Sequence, residues 1–281
     1  MPDYTSRAEV VIGGITRRAY ALSAIHGIGV GMATSSVTID RGQGSVSPGD
    51  SVEIRMGLNN ALDWVFVGTI NERGISFYPT YYEISSSGQL KRTRRKTNRR
   101  DAACMPPADP DLPTPDPIAY CATDKTDGAI VTELLALLGI TNVDIDDAGL
   151  VLGTINPVQL PTGGSPWSLI QAIDKLTWMR TFDAADGSVM RRPFTITGAA
   201  DAAMVLTEGV DLFDGKTVQS SDQMVTNVHV RGASYVGIDD IPINVEFSTD
   251  NPEENEFGVS DVEEWQSELI ETEEVAEAWA T

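Results

Sequence analysis

The chain has 281 residues, 41% of them apolar, and sets 20 Lys and Arg against 41 Asp and Glu for a formal net charge of −21. That is apolar material for two compact units or one elaborated one, but its longest apolar runs fall far short of the ~18 residues a membrane span needs. So acidic a total disfavours general binding to nucleic acid or to anionic membrane.

Met1-Pro2-Asp3-Tyr4-Thr5 has no basic stretch leading into an apolar one, so no secretory signal is expected, and the sequence reads as a soluble, cytosol-made protein without a membrane anchor. The first hundred residues read as strands. Glu9-Val10-Val11-Ile12, punctuated by Gly13-Gly14, and Ser36-Val37-Thr38-Ile39 are short apolar runs. Ser51-Val52-Glu53-Ile54-Arg55-Met56 alternates, with Val52, Ile54 and Met56 on one face. Trp64-Val65-Phe66-Val67-Gly68-Thr69-Ile70 is apolar on both faces, as in a strand covered on both sides. Gly57-Leu58-Asn59-Asn60 supplies turn chemistry between these two runs, which predicts a hairpin with the earlier strands as its neighbours. Short strands with frequent turns suggest a small barrel or sandwich.

Lys91, Arg92, Arg94, Arg95, Lys96, Arg99 and Arg100 then hold seven of the 20 basic groups within ten residues. Six prolines between Pro106 and Pro117 forbid a helix and disfavour an interior strand, so Lys91 to Thr123 reads as a long exposed arm or linker. Helical periodicity begins only afterwards. Ile130, Leu134 and Leu137, with Val131, Leu135 and Leu138 beside them, form one apolar face between an N-cap at Asp127 and a C′ residue at Gly139. A second helix has Ser165 at the cap, Pro166 in the first turn and Leu169, Ile170, Ile173 and Leu176 inward. It leads through Trp178–Phe182 to a tight turn at Asp186-Gly187 and so to a hairpin. The last third returns to strands at Met224–Val230 and Ile241–Phe247, where Pro242 points to an edge position. No Lys or Arg follows Arg231, and 15 acids lie between Asp239 and Glu277. The end from Glu263 reads as a helix with Trp265, Leu269 and Val275 loosely inward, or as a mobile segment.

Little in the sequence suggests catalysis. His26 and His229 are the only histidines, and isolated ones are more often structural than catalytic. No His-Glu-x-x-His motif, phosphate-binding Gly-Lys-Ser/Thr loop or Gly-x-Ser-x-Gly elbow occurs. Gly27-Ile28-Gly29-Val30-Gly31 has the wrong spacing for a dinucleotide loop and reads as a turn. Asp144-Ile145-Asp146-Asp147-Ala148-Gly149 invites a calcium reading, but Ile155 stands where such a loop needs a bidentate acid, which favours a solvated turn. Cys104 and Cys121 flank the Pro-rich stretch and could be bridged, although two lone thiols are the commoner case in the cytosol. Catalytic residues, metal ligands and cofactors are therefore expected to be none.

The basic run has three readings. It contacts an acidic surface of a neighbouring subunit or partner protein, it contacts nucleic acid, or it is a solvated loop. Aromatics are absent from Lys91 to Arg100, which removes a stacking platform, and the acidic composition favours the first reading, with Arg92, Arg94, Arg95 and Arg99 as contact residues. Ordering such a run costs roughly 1–2 kcal/mol per residue, while an exposed ion pair returns only about 0–1 kcal/mol. It is therefore expected to order only within an assembly, through bidentate Arg–carboxylate bonds.

The succession Ser47-Pro48-Gly49-Asp50-Ser51-Val52-Glu53-Ile54, then Phe66-Val67-Gly68-Thr69-Ile70, resembles the first barrel of tail hub proteins of bacteriophages and related injection machines, the late control protein D type among them. Gly49, Asp50, Phe66, Gly68 and Ile70 carry that motif: Gly49 permits the turn and Gly68 a close backbone approach. Leu134-Leu135-Ala136-Leu137-Leu138-Gly139-Ile140, followed by the helix and hairpin of Trp167 to Arg191, matches the family's order of elements. The basic, Pro-rich stretch departs from the compact connection expected there.

The resemblance implies a mainly β (α+β) fold with two tube-type β-barrel lobes and a small helix-plus-hairpin insert. The expected divisions are a first barrel at 1–90, the arm at 91–127, the insert at 128–195, a second barrel region at 196–250 and an acidic end at 251–281. It further implies a non-catalytic homotrimer that presents a pseudo-sixfold ring in the virion tail tip, assembled in the host cytoplasm. The implied partners are the tail tube or distal tail protein, the tape-measure protein and a tip spike or fibre protein, with genomic DNA passing the lumen without specific binding. A tail-associated wall- or carbohydrate-degrading enzyme, and a nucleic-acid-binding adaptor using the basic arm, are the alternatives.

Overall fold

Alternation between apolar and small polar residues gives the first ninety residues a succession of strands in the computed structural model, which describes residues 6–26, 31–58, 61–76, 80–95, 97, 118–194, 227–236, 242–250 and 262–280. They are β1 (Ser6–Ile12), β2 (Ile15–Arg17), β3 (Ala19–Ile25), β4 (Thr34–Asp40), β5 (Ser51–Leu58), β6 (Ala61–Ile75) and β7 (Tyr81–Ser87). All pair antiparallel in one sheet of order β2-β1-β5-β6-β7-β4-β3. The outermost strands, β2 and β3, are separated in sequence by Arg18 alone. One residue is too few for a turn, so residues 15–25 run on as one kinked strand that pairs with β1 at its start and with β4 along the rest, which closes the sheet as a barrel.

Arg17 fixes that corner. Its guanidinium donates to the carbonyls of Gln43 and Ser45, while Gln43 exchanges side-chain hydrogen bonds with the Arg18 backbone. Register shifts in the β3–β4, β5–β6 and β6–β7 ladders add the local twist that curling requires. β6 pairs with β5 along its first half and with β7 along its second, and Thr69 pairs with both. Val10, Ile12, Val37, Ile39, Val52, Ile54, Phe66, Ile70, Tyr82 and Ile84 fill the interior.

Three details differ from the sequence reading. β1 neighbours β5, but β7 separates β4 from the hairpin. Met56 alternates with Ile54 yet is 44% exposed, because the hairpin runs on past the end of the core. The outer face of β6 is half-buried rather than sealed, with Gly187 packed against Val67. Asn59 and Asn60, expected in its turn, and Gly27 to Val30 lie outside the described residues.

By its internal contacts the chain forms two units, Met1–Gly153 with Pro157–Pro193, and Thr154–Asn156 with Phe194–Thr281. The first unit continues past the barrel with β8 (Ile118–Ala122), β9 (Lys125–Thr126), α1 (Asp127–Ala136), β10 (Val143–Ile145), β11 (Val151–Leu152), β12 (Val158–Pro161), α2 (Pro166–Leu176), β13 (Met179–Asp183) and β14 (Val189–Pro193). α1 ends where Gly139, at φ +72°, lets Ile140 donate to Leu135 and Gly139 to Ala136, the paired bonds of a Schellman turn. β13 and β14 form the hairpin turned at Asp186-Gly187, and β10 adds to it in parallel. Asp127 does not cap α1. Thr126 occupies that position, and the Asp127 carboxylate is wholly buried in the network described below.

In the second unit β15 (Asn227–Val236) lies between antiparallel β16 (Pro242–Asp250) and parallel β17 (Val262–Gln266), and α3 (Glu273–Ala280) packs on β15 and β16. Among the described residues Pro242 is on an edge of this sheet, as expected. The acidic end departs from expectation, since Val262–Gln266 is a strand and the helix starts only at Glu273. Glu271 is buried and accepts from the amides of Thr154, Ile155 and Asn156. Met224, and most of the region expected as a second barrel, lie outside the described residues. The fold is mainly β with a small helical insert. No described helix is long and apolar enough to cross a membrane.

Candidate interaction surface

Gly49, at φ +97°, turns the chain into β5, and the Asp50 carboxylate closes the turn by accepting from the Ser47 amide at 2.8 Å. Ile70 then clasps the turn, its amide donating to Asp50 and its carbonyl accepting from Gly49. Phe66 is fully buried. A side chain on Gly68 would strike the Ser87 carbonyl at 2.4 Å and the Phe66 ring at 2.6 Å. These five residues thus build the barrel wall and leave no group free for chemistry.

The basic run sits at the end of that wall. Gln89–Arg94 is a 3₁₀ helix whose three-residue period turns Leu90 and Thr93 inward, both fully buried, and leaves Lys91, Arg92 and Arg94 exposed, with Arg95 after them. Ser165, at the start of α2, donates to the Thr93 carbonyl at 3.0 Å, and Thr97 exchanges backbone bonds with Gly163 and Gly164. Leu90 and Thr93 thus tie Lys91 to Arg95 to the chain itself, a contact the sequence reading did not anticipate. None of these four cations has an ion pair among the described residues. Lys96, Arg99 and Arg100 lie outside the described residues, as do Cys104 and the six prolines. Cys121 is disulfide-bonded, the bridged alternative rather than the commoner lone thiol.

Two buried acidic clusters hold this surface in place. The Asp183 carboxylate accepts from the amides of Ala33 and Leu90, both at 3.0 Å, so one side chain of β13 fixes the approach to β4 and the start of the basic turn. Burial pushes its carboxyl up to about 6, against backbone hydrogen bonds that pull it down. Beneath α2, Arg191 is 0% exposed. It donates to Asp174 at 2.7 Å, to Asp127 at 2.5 Å, to the Asp146 carbonyl and to Thr177. The aspartates also accept from the amides of Thr181, Leu150 and Ala148. The guanidinium and both carboxylates are each multiply hydrogen-bonded, which makes this a structural network rather than a reactive one.

The supposed calcium turn is used differently. Asp144 and Asp146 pair with Arg192. Asp147 accepts from Thr126 and Gly149, and hydrogen bonds of this kind outweigh its partial burial to hold its carboxyl down at about 2. His26 is exposed and His229 half-buried on β15. Among the described residues no three His, Cys, Asp or Glu are grouped to hold a metal ion. Sequence reading missed Asp174, Asp183 and Arg191, whose partners lie up to 150 positions away. The Leu90/Thr93 spacing was the one visible sign that the basic run has an inner face.

This architecture has solved counterparts. The 43 kDa tail protein of prophage MuSo2 from Shewanella oneidensis superposes with a TM-score of 0.63 at 13% identity, over 98% of this chain and 77% of that one. A tail protein from Neisseria meningitidis MC58 gives 0.62 at 11% identity, over 98% and 74%. Prophage tail protein gp18 from Listeria monocytogenes EGD-e gives 0.55 at 10% identity, over 92% and 72%. The chain shares their fold. No family model matches it, and no curated protein does.

Proposed function

We propose that this chain is a non-catalytic structural protein of a bacteriophage tail tip or baseplate, a hub whose copies form a ring between the tail tube and the tip spike or fibre. The observation that carries the reading is a likeness to prophage tail proteins that spans 92–98% of the chain and includes the barrel, the insert and the second unit. A curled barrel suits this role because its closed wall leaves strand ends and loops as the surfaces on which neighbours meet. In this reading three copies make the ring, two barrel lobes per copy give it pseudo-sixfold character, and the tape-measure protein and then DNA pass through it. An acidic lining would keep DNA from sticking. Arg92, Arg94, Arg95 and Arg99 serve contacts between subunits or with other tail proteins.

Native mass spectrometry of the purified chain, followed by images of intact particles, tests this. A trimer, and a ring at the tail tip, are expected. A chain that stays monomeric at all concentrations and is absent from particles would overturn the hub reading, and release of reducing sugars from cell wall would overturn its non-catalytic part.

A further inference from the structure

Register places a row of hydroxyls across three barrel strands and a carboxylate on a fourth. Ser23 pairs with Ser36, Ser36 with Ser85 and Ser85 with Glu72, while Thr34 pairs with Ser87 in the adjoining row. These residues floor an open trough of about 550 Å³, and the 3₁₀ helix contributes Lys91 and Arg94 to its lining. Asn71 braces one end: Ser87 bonds to its amide, and with the amide oxygen turned toward Lys91 the ammonium lies 3.2 Å away. Arg94 has no ion pair among the described residues.

Short hydroxyl side chains leave room for a polypeptide to lie close to the sheet, and each offers a donor. Two cations against the single carboxylate of Glu72 select an anionic occupant. No aromatic ring lines the trough, so neither a sugar face nor a nucleic-acid base has a surface to stack on. The chain carries the complement itself. No basic residue follows Arg231, 15 acids lie between Asp239 and Glu277, and Glu268, Glu273 and Glu274 are exposed. A basic spot on one unit and an acidic segment on the other are satisfied by head-to-tail pairing of copies, the heterologous contact that closes into a ring.

We propose that this trough receives the acidic C-terminal segment of a second copy of the chain, with Lys91 and Arg94 taking its carboxylates and the serine hydroxyls donating to them. The inference rests on the ring reading above.

Zero-length carbodiimide coupling of mixed ¹⁴N- and ¹⁵N-labelled full-length protein, read by peptide mass spectrometry beside native mass spectrometry, tests it. Amide links from Lys91 to Glu268, Glu273 or Glu274 in mixed-isotope pairs are expected. Replacing both cations, Lys91→Ser with Arg94→Ser, should weaken assembly about tenfold at low salt, less as salt rises. Ser85→Trp, which fills the trough without touching a charge, should weaken it as well. Oligomers without mixed Lys91 links, or with assembly unchanged in these variants, would overturn this inference and leave the ring standing. Monomers at every concentration would remove the ring and this inference together.

Discussion

From Ser6 to Ser87 the strands close around an interior led by Ile12, Ile39, Ile54, Phe66 and Ile84, each at most 1% exposed; from Ile118 to Pro193 the largest fully buried side chain is that of Arg191. Apolar contact is non-directional, so the barrel takes its register from devices outside its core: the Gly49-Asp50 turn, the register shifts and the corner at Arg17. The insert works the other way. Its ionic network is directional, and Arg191 satisfies α1, α2 and the loop at Asp146 only in one mutual arrangement. Buried charge is weak evidence for stability, but here it specifies which elements meet.

The largest expected effect tests that contrast. Arg191→Met should destabilise the chain by roughly 3–5 kcal/mol in urea unfolding, because two buried carboxylates lose their cation. Adding Asp127→Asn should recover part of the loss, since the amide oxygen still accepts from Leu150 while a stranded charge disappears. If the double variant is no better than the single one, geometry and not charge is what Arg191 supplies.

Asp183 joins the two regions, and its effect is expected to be intermediate. Its carboxyl is raised to about 6 by burial, above the unfolded value near 4. The folded chain therefore keeps a proton that the unfolded chain releases. The resulting stability is fully present below about pH 4 and is lost as pH rises through 6, with a slope of up to roughly 1.4 kcal/mol per pH unit between them. Asp183→Asn keeps an acceptor for only one of the Ala33 and Leu90 amides, so it should lower stability at every pH, and it should remove that slope when wild type and variant are compared across the window. The smallest effect belongs to the apolar side: Ile54→Val should cost about 0.5–1.5 kcal/mol and show no pH dependence of its own.

Local signals were legible where one segment determines its own shape. Alternation in β5 with the Gly49-Asp50 turn, the Pro166 start of α2, Gly139 at the end of α1 and the Asp186-Gly187 hairpin all follow from residues within a few positions of each other. Misreadings arose where a distant partner decided. Thr126 and Asp127 are both cap-type residues, and only Arg191, 64 positions on, shows why the second is turned inward. Charge density made the basic run look like a free arm because Leu90 and Thr93, which anchor it, are outnumbered by their cationic neighbours. At the other end, Trp265 falls on a strand because β15 offers Val230 as its register partner, a pairing that helical spacing cannot reveal.

The single-residue join at Arg18 has a consequence for how such a chain can change through descent. Loops between other barrel strands can lengthen without disturbing the ladders on either side, because a longer loop costs little in closure entropy. An insertion or deletion at position 18 has no such freedom. It would shift β2 against β1 or β3 against β4 and turn inward-facing residues out along a whole strand. Lineages of this barrel should therefore gain and lose residues nearly everywhere on the rim except here, where the count between two strands works as a reading frame for the wall.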